Sequence, residues 1–255
     1  MLSRPYQWHK NIFVFAPAFF AGRILSEFYQ VIFLFFDFIL ASVSVYSLND
    51  VMDYKEDKEH PIKRNRPVAS GRISKLEAVS FSLVIMSISL YIAYLIGSIL
   101  FVSIYVGLNI LYSLFVKWKK PLDIFFISIG FVLRILAGSF VCNIYPSSWL
   151  VITTFFLAIF LSTMKRETEL HSRIYERIGL VSATLTVASY SLYVVIEKKG
   201  LISVLSIFPV FYGIVRYYMI VEGSENRDPS VNVFDREILI SSLIWVLLVI
   251  LEIYF

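Results

Sequence analysis

Asp50, Asp53 and Asp57 stand at i, i+3 and i+7 in the stretch Asn49-Asp50-Val51-Met52-Asp53-Tyr54-Lys55-Glu56-Asp57, directly after a long apolar run. If the helix continues through them, that spacing turns all three carboxylates to one side. Converging acids beside lipid repel one another unless a cation neutralises them. A hard ion such as Mg²⁺ suits the place, because it takes one or two carboxylates and completes its shell with substrate phosphate oxygens. The chemistry these residues suggest is the handling of a diphosphate through metal at a membrane surface, with Asn49 as a further ligand or a helix-end hydrogen bonder. The plainer alternative for Asp50 and Asp53 is an N-terminal cap or an ion pair with nearby lysines, and for Asp57 a position simply facing water.

The elements that must position this row are membrane helices. Of the 255 residues, 58% are hydrophobic and 16% charged, against about 45–50% apolar and about 25% charged in soluble domains. Mean hydropathy is +0.75. Apolar segments run near 12–22, 29–48, 76–96, 99–116, 122–141, 147–164, 179–196, 201–220 and 238–255. Most approach the roughly 20 residues a spanning helix requires, and they are too long for barrel strands. The reading is an all-α polytopic membrane protein of about nine transmembrane helices, forming one domain over residues 1–255. The first segment is short and holds Pro17, so a kinked or interfacial course is expected there.

Charge sets the orientation. With the N-terminus inside, 19 of the 23 Lys and Arg residues fall on one side, and Arg23, Lys198 and Lys199 on the other. That bias makes the rich side cytoplasmic. The loops there are long and polar, whereas those opposite are short. The longest, from Asp50 to Lys75, contains His60-Pro61 and Arg66-Pro67, which break helices, and a Ser70-Gly71 turn. It closes on Ser74-Lys-Leu-Glu77, a capping-box pattern that starts the next helix. The acid row and the basic residues Lys63, Arg64 and Arg66 share this loop. Their plain alternative is ordinary positive-inside charge beside anionic lipid. Arg134 lies 13 residues after Pro121, roughly 20 Å along a helix. It is expected to face a cavity or substrate, or to pair with Asp37. Tyr112 and Lys117, at the cytoplasmic end of the fourth segment, are candidate diphosphate contacts. Asp228 and Asp235, before the last segment, are either helix-start residues or substrate contacts.

The pattern Asn49-Asp50-x-x-Asp53-x-x-x-Asp57, followed by His60-Pro61-x-Lys63-Arg64-x-Arg66-Pro67 and Ser70-Gly71, resembles the UbiA-type intramembrane prenyltransferase superfamily. The resemblance implies about nine helices around a lipid-accessible cavity. It also implies a first aspartate motif holding Mg²⁺-diphosphate at the cytosolic mouth and a second motif after the sixth helix. Within that superfamily, Arg4-Pro5-x-x-Trp8-x-Lys10-Asn11, Phe15-Ala16-Pro17, Gly130-Phe131-Val132-Leu133-Arg134-x-Leu136-Ala137-Gly138 and Lys165-Arg166-x-x-Glu169-Leu170 are similar to the decaprenyl-phosphate phosphoribosyltransferases. Where the aromatic prenyltransferases carry a second acidic motif, this chain has Lys165 and Arg166. Joining two phosphorylated substrates gathers more negative charge than prenylating a neutral acceptor, and fixed cations offset it.

What the resemblance implies is Mg²⁺-dependent transfer of 5-phosphoribose from phosphoribosyl diphosphate to a polyprenyl phosphate of decaprenyl type. Asp50, Asp53, Asp57 and Asn49 would hold the metal and donor, and Lys63, Arg64, Arg66, Lys117, Tyr112, Arg134, Lys165 and Arg166 the phosphates. The expected partners are membrane lipids and phosphorylated small molecules rather than nucleic acid, in a bacterial cytoplasmic membrane. Two other readings stay open. One is prenyl transfer from a prenyl diphosphate to an aromatic or other acceptor, which favours a second acidic cluster. The other is a transporter, which favours broken helices and midplane polar groups.

Overall fold

The computed structural model describes residues 2, 4–61, 63–170, 172–198, 200–223 and 234–255, with the side chains of 169 and 170 left aside. Its elements are helical throughout, with no strand among the described residues. Among the described residues, eight helices are long and apolar enough to cross a membrane: Phe28–Met52, Lys75–Leu95, Ile99–Val116, Leu122–Val141, Ser148–Thr168, Arg173–Lys198, Leu201–Glu222 and Arg236–Tyr254. With every backbone group bonded within its own segment, such helices need no water in the hydrocarbon. The protein is an integral, multi-pass membrane protein.

The first apolar segment follows a different course. Pro5–Phe15 winds as a 3-10 helix, and only one short α-helix, α1 (Ala16–Phe20), follows it. Runs of 3-10 helix beyond three or four residues are uncommon because their hydrogen bonds are poorer. This segment is therefore held by its neighbours rather than by its own ladder, in keeping with the kinked course expected from Pro17.

The chain divides into two compact units. The first holds residues 1–19, 23–126 and 133–145. Its centre is α2 (Phe28–Met52), which packs on α4 (Lys75–Leu95), on α5 (Ile99–Leu111) and on the 3-10 segment. The contact face of α4 is a line of small residues, Ala78, Ser82, Ser89 and Ala93, all buried. In lipid, small residues let helices approach closely and hydroxyls bond across the gap. Ser82 Oγ accordingly donates to the Ser44 carbonyl at 2.7 Å, and Ser89 Oγ to Asp37 Oδ1 at 2.6 Å. The start of α4 is the capping box read from the sequence: Glu77 N–H donates to Ser74 Oγ at 3.2 Å, and Ser74 N–H to Glu77 Oε2 at 2.8 Å. The short α3 (Tyr54–Glu59) continues from the end of α2.

The second unit holds residues 20–22, 127–132 and 146–255. Within it α7 (Ser148–Leu170) lies along α8 (Arg173–Tyr193), and α10 (Ile207–Glu222) packs on the last helix, α11 (Arg236–Tyr254). The short α9 (Leu201–Leu205) rests on that last helix. The residues of α6 (Leu122–Val141) are shared between the two units. Asp235 caps α11, its Oδ1 accepting from the N–H groups of Glu237 and Ile238 at 3.1 and 3.3 Å. That is the helix-start role among its two alternatives. Asp228 lies outside the described residues.

Candidate active site at the acid row

Helix α2 ends at Met52, and Asp53 takes φ −84°, ψ 2° at its C-cap. The helical bonding still runs through the junction: Asp53 N–H donates to the Asn49 carbonyl, and Asp57 N–H to the Asp53 carbonyl, both at 2.8 Å. The slight break separates the row. Asp50 and Asp57 keep one face, where Arg66 Nη1 reaches Asp57 Oδ2 at 2.6 Å and Asp50 Oδ1 at 3.6 Å. Asp53 turns instead to Lys117, whose Nζ lies 2.7 Å from its Oδ1 and 3.4 Å from Glu56 Oε2.

A third cation completes the cluster. Arg4 forms an ion pair with Asp50 and lays its guanidinium over the Tyr46 ring, 5.2 Å from the centroid. Asp50 is 1% exposed and Asp57 3%. Carboxylates so deeply placed persist as charges only beside opposite charge. All three acids are ion-paired: Asp53 with a lysine, as its alternative reading has it, but Asp50 and Asp57 with arginines, and Asp57 does not face water. No three acidic, His or Cys side chains among the described residues gather into a metal cage.

The donor set nevertheless fits a Mg²⁺-diphosphate. Mg²⁺ needs only one or two carboxylates when phosphate and water fill the remaining positions. Asp50 Oδ2 is buried without a hydrogen-bond partner, so one hard oxygen is already free to ligate. Asp57 lies across the Arg66 guanidinium from Asp50 and offers a second.

The other predicted residues are distributed unevenly. Asn49 Oδ1 accepts from Ser113 Oγ at 2.6 Å, which ties the acid row to the helix carrying Lys117. Tyr112 opens the single π turn Tyr112–Val116 that leads into Lys117. π turns within α-helices recur at functional sites, where the extra residue re-aims the side chains beyond it. Lys63 and Arg64 lie in a short 3-10 turn, Lys63–Asn65, with Lys63 half-buried and Arg64 exposed. Lys165 and Arg166 are half-buried near the end of α7 in the second unit.

Arg134 sits in a different setting. It is 3% exposed, with Nε donating to Asn11 Oδ1 at 2.8 Å and Nη2 to Tyr105 OH at 3.1 Å and Ser42 Oγ at 3.4 Å. Its guanidinium lies 4.6 Å from the Tyr105 ring centroid and 5.5 Å from that of Phe38. The network joins the 3-10 segment, α2, α5 and α6. These partners offer neutral oxygens and ring faces rather than carboxylates. Asp37, the carboxylate the sequence offered as its mate, bonds Ser89 instead.

Sequence reasoning did not assign Arg4, Asn11, Tyr105 or Ser113 to a site. Arg4 and Asn11 do lie in the Arg4-Pro5-x-x-Trp8-x-Lys10-Asn11 stretch that carried the family resemblance.

The model of the UbiA prenyltransferase family matches residues 11–243. The decaprenyl-phosphate phosphoribosyltransferase of Mycobacterium tuberculosis is 28% identical over 274 residues, covering 95% of this chain and 90% of that protein. Its namesake in Corynebacterium glutamicum is 27% identical over 282 residues, covering 98% and 85%. Among solved structures, a UbiA homolog from Archaeoglobus fulgidus bound to GPP and Mg²⁺ shares the fold with a TM-score of 0.74 at 18% identity, covering 100% of this chain and 98% of that one. Relatives of this kind make the protein a transferase rather than a transporter. A helical membrane fold, an acid row at the end of α2 and a match over nearly the whole length all agree: the chain belongs to the UbiA prenyltransferase family.

Proposed function

We propose that the protein transfers 5-phosphoribose from phosphoribosyl diphosphate to a polyprenyl phosphate, releasing diphosphate. The observation that carries the reading is the interleaving of Asp50, Asp53 and Asp57 with Arg4, Arg66 and Lys117. Such a cluster can exchange partners when an anionic donor arrives. Arg66 and Lys117 move from carboxylate to phosphate oxygens, for which a guanidinium fork and an ammonium are both suited. The carboxylates of Asp50 and Asp57, with Asp53, would then be the groups to hold Mg²⁺. When bound, that ion supplies charge neutralisation for the departing diphosphate.

The ribose C1–O bond breaks with its electron pair going to diphosphate, and an oxygen of the lipid phosphate forms the new C1–O bond. The lipid phosphate is already ionised, so no general base is needed. Lys63, Arg64, Lys165 and Arg166 are assigned to the remaining phosphate charge. Arg134 is assigned to holding Asn11 and Tyr105 in place. The chain acts as a single transferase domain over residues 1–255, with its N-terminus and acid row on the cytoplasmic side of a bacterial inner membrane. Similarity to phosphoribosyltransferases over nearly the full chain supports the donor. The second reading, prenyl transfer, draws on a structural relative bound to GPP and Mg²⁺.

Purified protein supplied with Mg²⁺, phosphoribosyl diphosphate and decaprenyl phosphate should form a phosphoribosylated lipid, detected by mass spectrometry. Asp50→Asn should abolish the product while the protein still inserts and melts cooperatively. Absence of that product, together with turnover of a prenyl diphosphate and an aromatic acid, would replace the first reading by the second.

A further inference from the structure

Two polar links join the end of α2 to the end of the span Ile99–Val116. Asn49 and Asp53 stand four residues apart on the first, and Ser113 and Lys117 four apart on the second. Ser113 Oγ donates to Asn49 Oδ1 at 2.6 Å, and Lys117 Nζ lies 2.7 Å from Asp53 Oδ1. The steps match, so the two chains run in the same direction there and touch in register.

The links differ in kind. The Lys117 link is an ion pair, and its ammonium is the group that passes to phosphate when the donor arrives. The Ser113 link joins two neutral groups and holds no charge for a diphosphate to claim, so it stays closed through the exchange. Ser113 also lies within the π turn Tyr112–Val116 that delivers Lys117, whose N–H donates to the Tyr112 carbonyl at 2.8 Å. A π turn is a rare ladder that neighbours must hold. Anchoring the turn at Ser113 fixes where it places the lysine.

The Ser113 hydroxyl has one proton and a second acceptor in reach, the Asn109 carbonyl at 3.0 Å. Bonding to the carbonyl four residues back is what a helical Ser does unaided. The shorter contact crosses to another helix, and it is the one that can set register. It also stops the Asn49 amide from rotating, so its two N–H donors keep a fixed aim.

We propose that Ser113 is a positioning residue for the diphosphate, acting through Asn49 to hold the amide and the π turn so that Lys117 meets the phosphate. The inference rests on the acid row as a diphosphate site and is indifferent to whether the donor carries phosphoribosyl or prenyl. The test compares Ser113→Thr with Ser113→Val, side chains of nearly one shape of which only the first keeps a hydroxyl. The full chain in detergent is titrated calorimetrically with inorganic diphosphate and Mg²⁺, a probe common to both donors.

Ser113→Val should bind about tenfold more weakly, the lower end of the loss when an outer-shell partner is removed, and Ser113→Thr should bind as the wild type does. Ser113→Ala, which removes the hydroxyl without adding bulk, should follow Ser113→Val. With Asn49→Ala in the background, the Thr and Val proteins should bind alike, because the hydroxyl acts only through that amide. A merely structural hydroxyl would lower the melting temperature of the ligand-free protein and leave the affinity of the folded protein unchanged. Equal affinity of the Thr and Val proteins, or a difference that persists with Asn49→Ala, would overturn the proposal. A wild type that binds no diphosphate would overturn it together with the reading of the site. A wild type that binds diphosphate but makes no phosphoribosylated lipid would overturn only the choice of donor.

Discussion

Replacing Arg66 by Met removes the cation shared by Asp50 and Asp57. The Asp57 side chain is 4% exposed, and Arg66 is its ion-pair partner at 2.6 Å, whereas Asp50 keeps Arg4. Stripping one partner from a buried pair costs about 3–5 kcal/mol. The Arg66 side chain is 23% exposed, so water reaches the vacated place and the cost falls to about 2–3 kcal/mol. For a chain of 255 residues, about 2–4 °C of melting temperature accompanies each kcal/mol, giving a drop of about 4–12 °C. Asp57→Asn in the same background removes the stranded charge, so the double variant should be more stable than the sum of the singles by about 1–2 kcal/mol. Mg²⁺ at about a hundred times its dissociation constant should return about 2.7 kcal/mol to Arg66→Met, far more than to the double variant. The assay is thermal unfolding in detergent with and without Mg²⁺, alongside turnover. Additive losses within about 0.5 kcal/mol, or a Mg²⁺ response equal in both backgrounds, would refute the coupling of Asp57 to Arg66 and its readiness to accept metal.

Two further outcomes concern the first unit. A Cβ on Gly138 would lie 2.2 Å from the Val14 carbonyl oxygen, which is backbone and cannot swing aside. Gly138→Ala should therefore push the 3-10 segment off α6 and cost about 1–3 kcal/mol, the range for overpacking, read as a lowered melting temperature. The pKa of His9 is held below its usual 6.5, chiefly by burial. Its depressed folded value means the unfolded chain binds the proton more readily. The neutral imidazole thus favours folding above about pH 6.5, and that contribution is lost as pH falls through the lower folded value. Melts from pH 7.5 to 5 should decline more steeply in the wild type than in His9→Gln.

The eight spans were legible because each is a run of apolar residues near the length a bilayer demands, a property of composition alone. The α4 start was legible because a capping box is local, three residues apart and self-sufficient. What stayed hidden depends on register between distant segments. Arg4 is 46 residues before Asp50, and Lys117 is 64 after Asp53. Nothing local in either announces its carboxylate. The π turn at Tyr112–Val116 and the 3-10 course of Pro5–Phe15 were equally silent, since both are ladders chosen by packing against neighbours. Asp37 shows the same limit from the other side. A buried acid and a buried arginine invited pairing, but Asp37 lies against the Ser89 hydroxyl of α4, and Arg134 found amide and phenol oxygens instead.

The spacing of Asp50, Asp53 and Asp57 therefore stated the candidate site's anionic half, and of its cations Arg66 and Lys117 were named from sequence while Arg4 was not. Three carboxylates are answered by three cations, so the resting cluster carries little net charge despite its burial. Adding Mg²⁺ alone would leave excess positive charge in a poorly solvated place, and adding a diphosphate alone would leave excess negative charge. Both are costly. Binding the two together would preserve the balance, with the carboxylates available to the metal and Arg66 and Lys117 to the phosphates. On this account the metal and the donor bind cooperatively. Titrating phosphoribosyl diphosphate with and without Mg²⁺ should show each tightening the other by the same factor. Equal donor affinity in both conditions would mean that the cations serve only to hold the acid row in place.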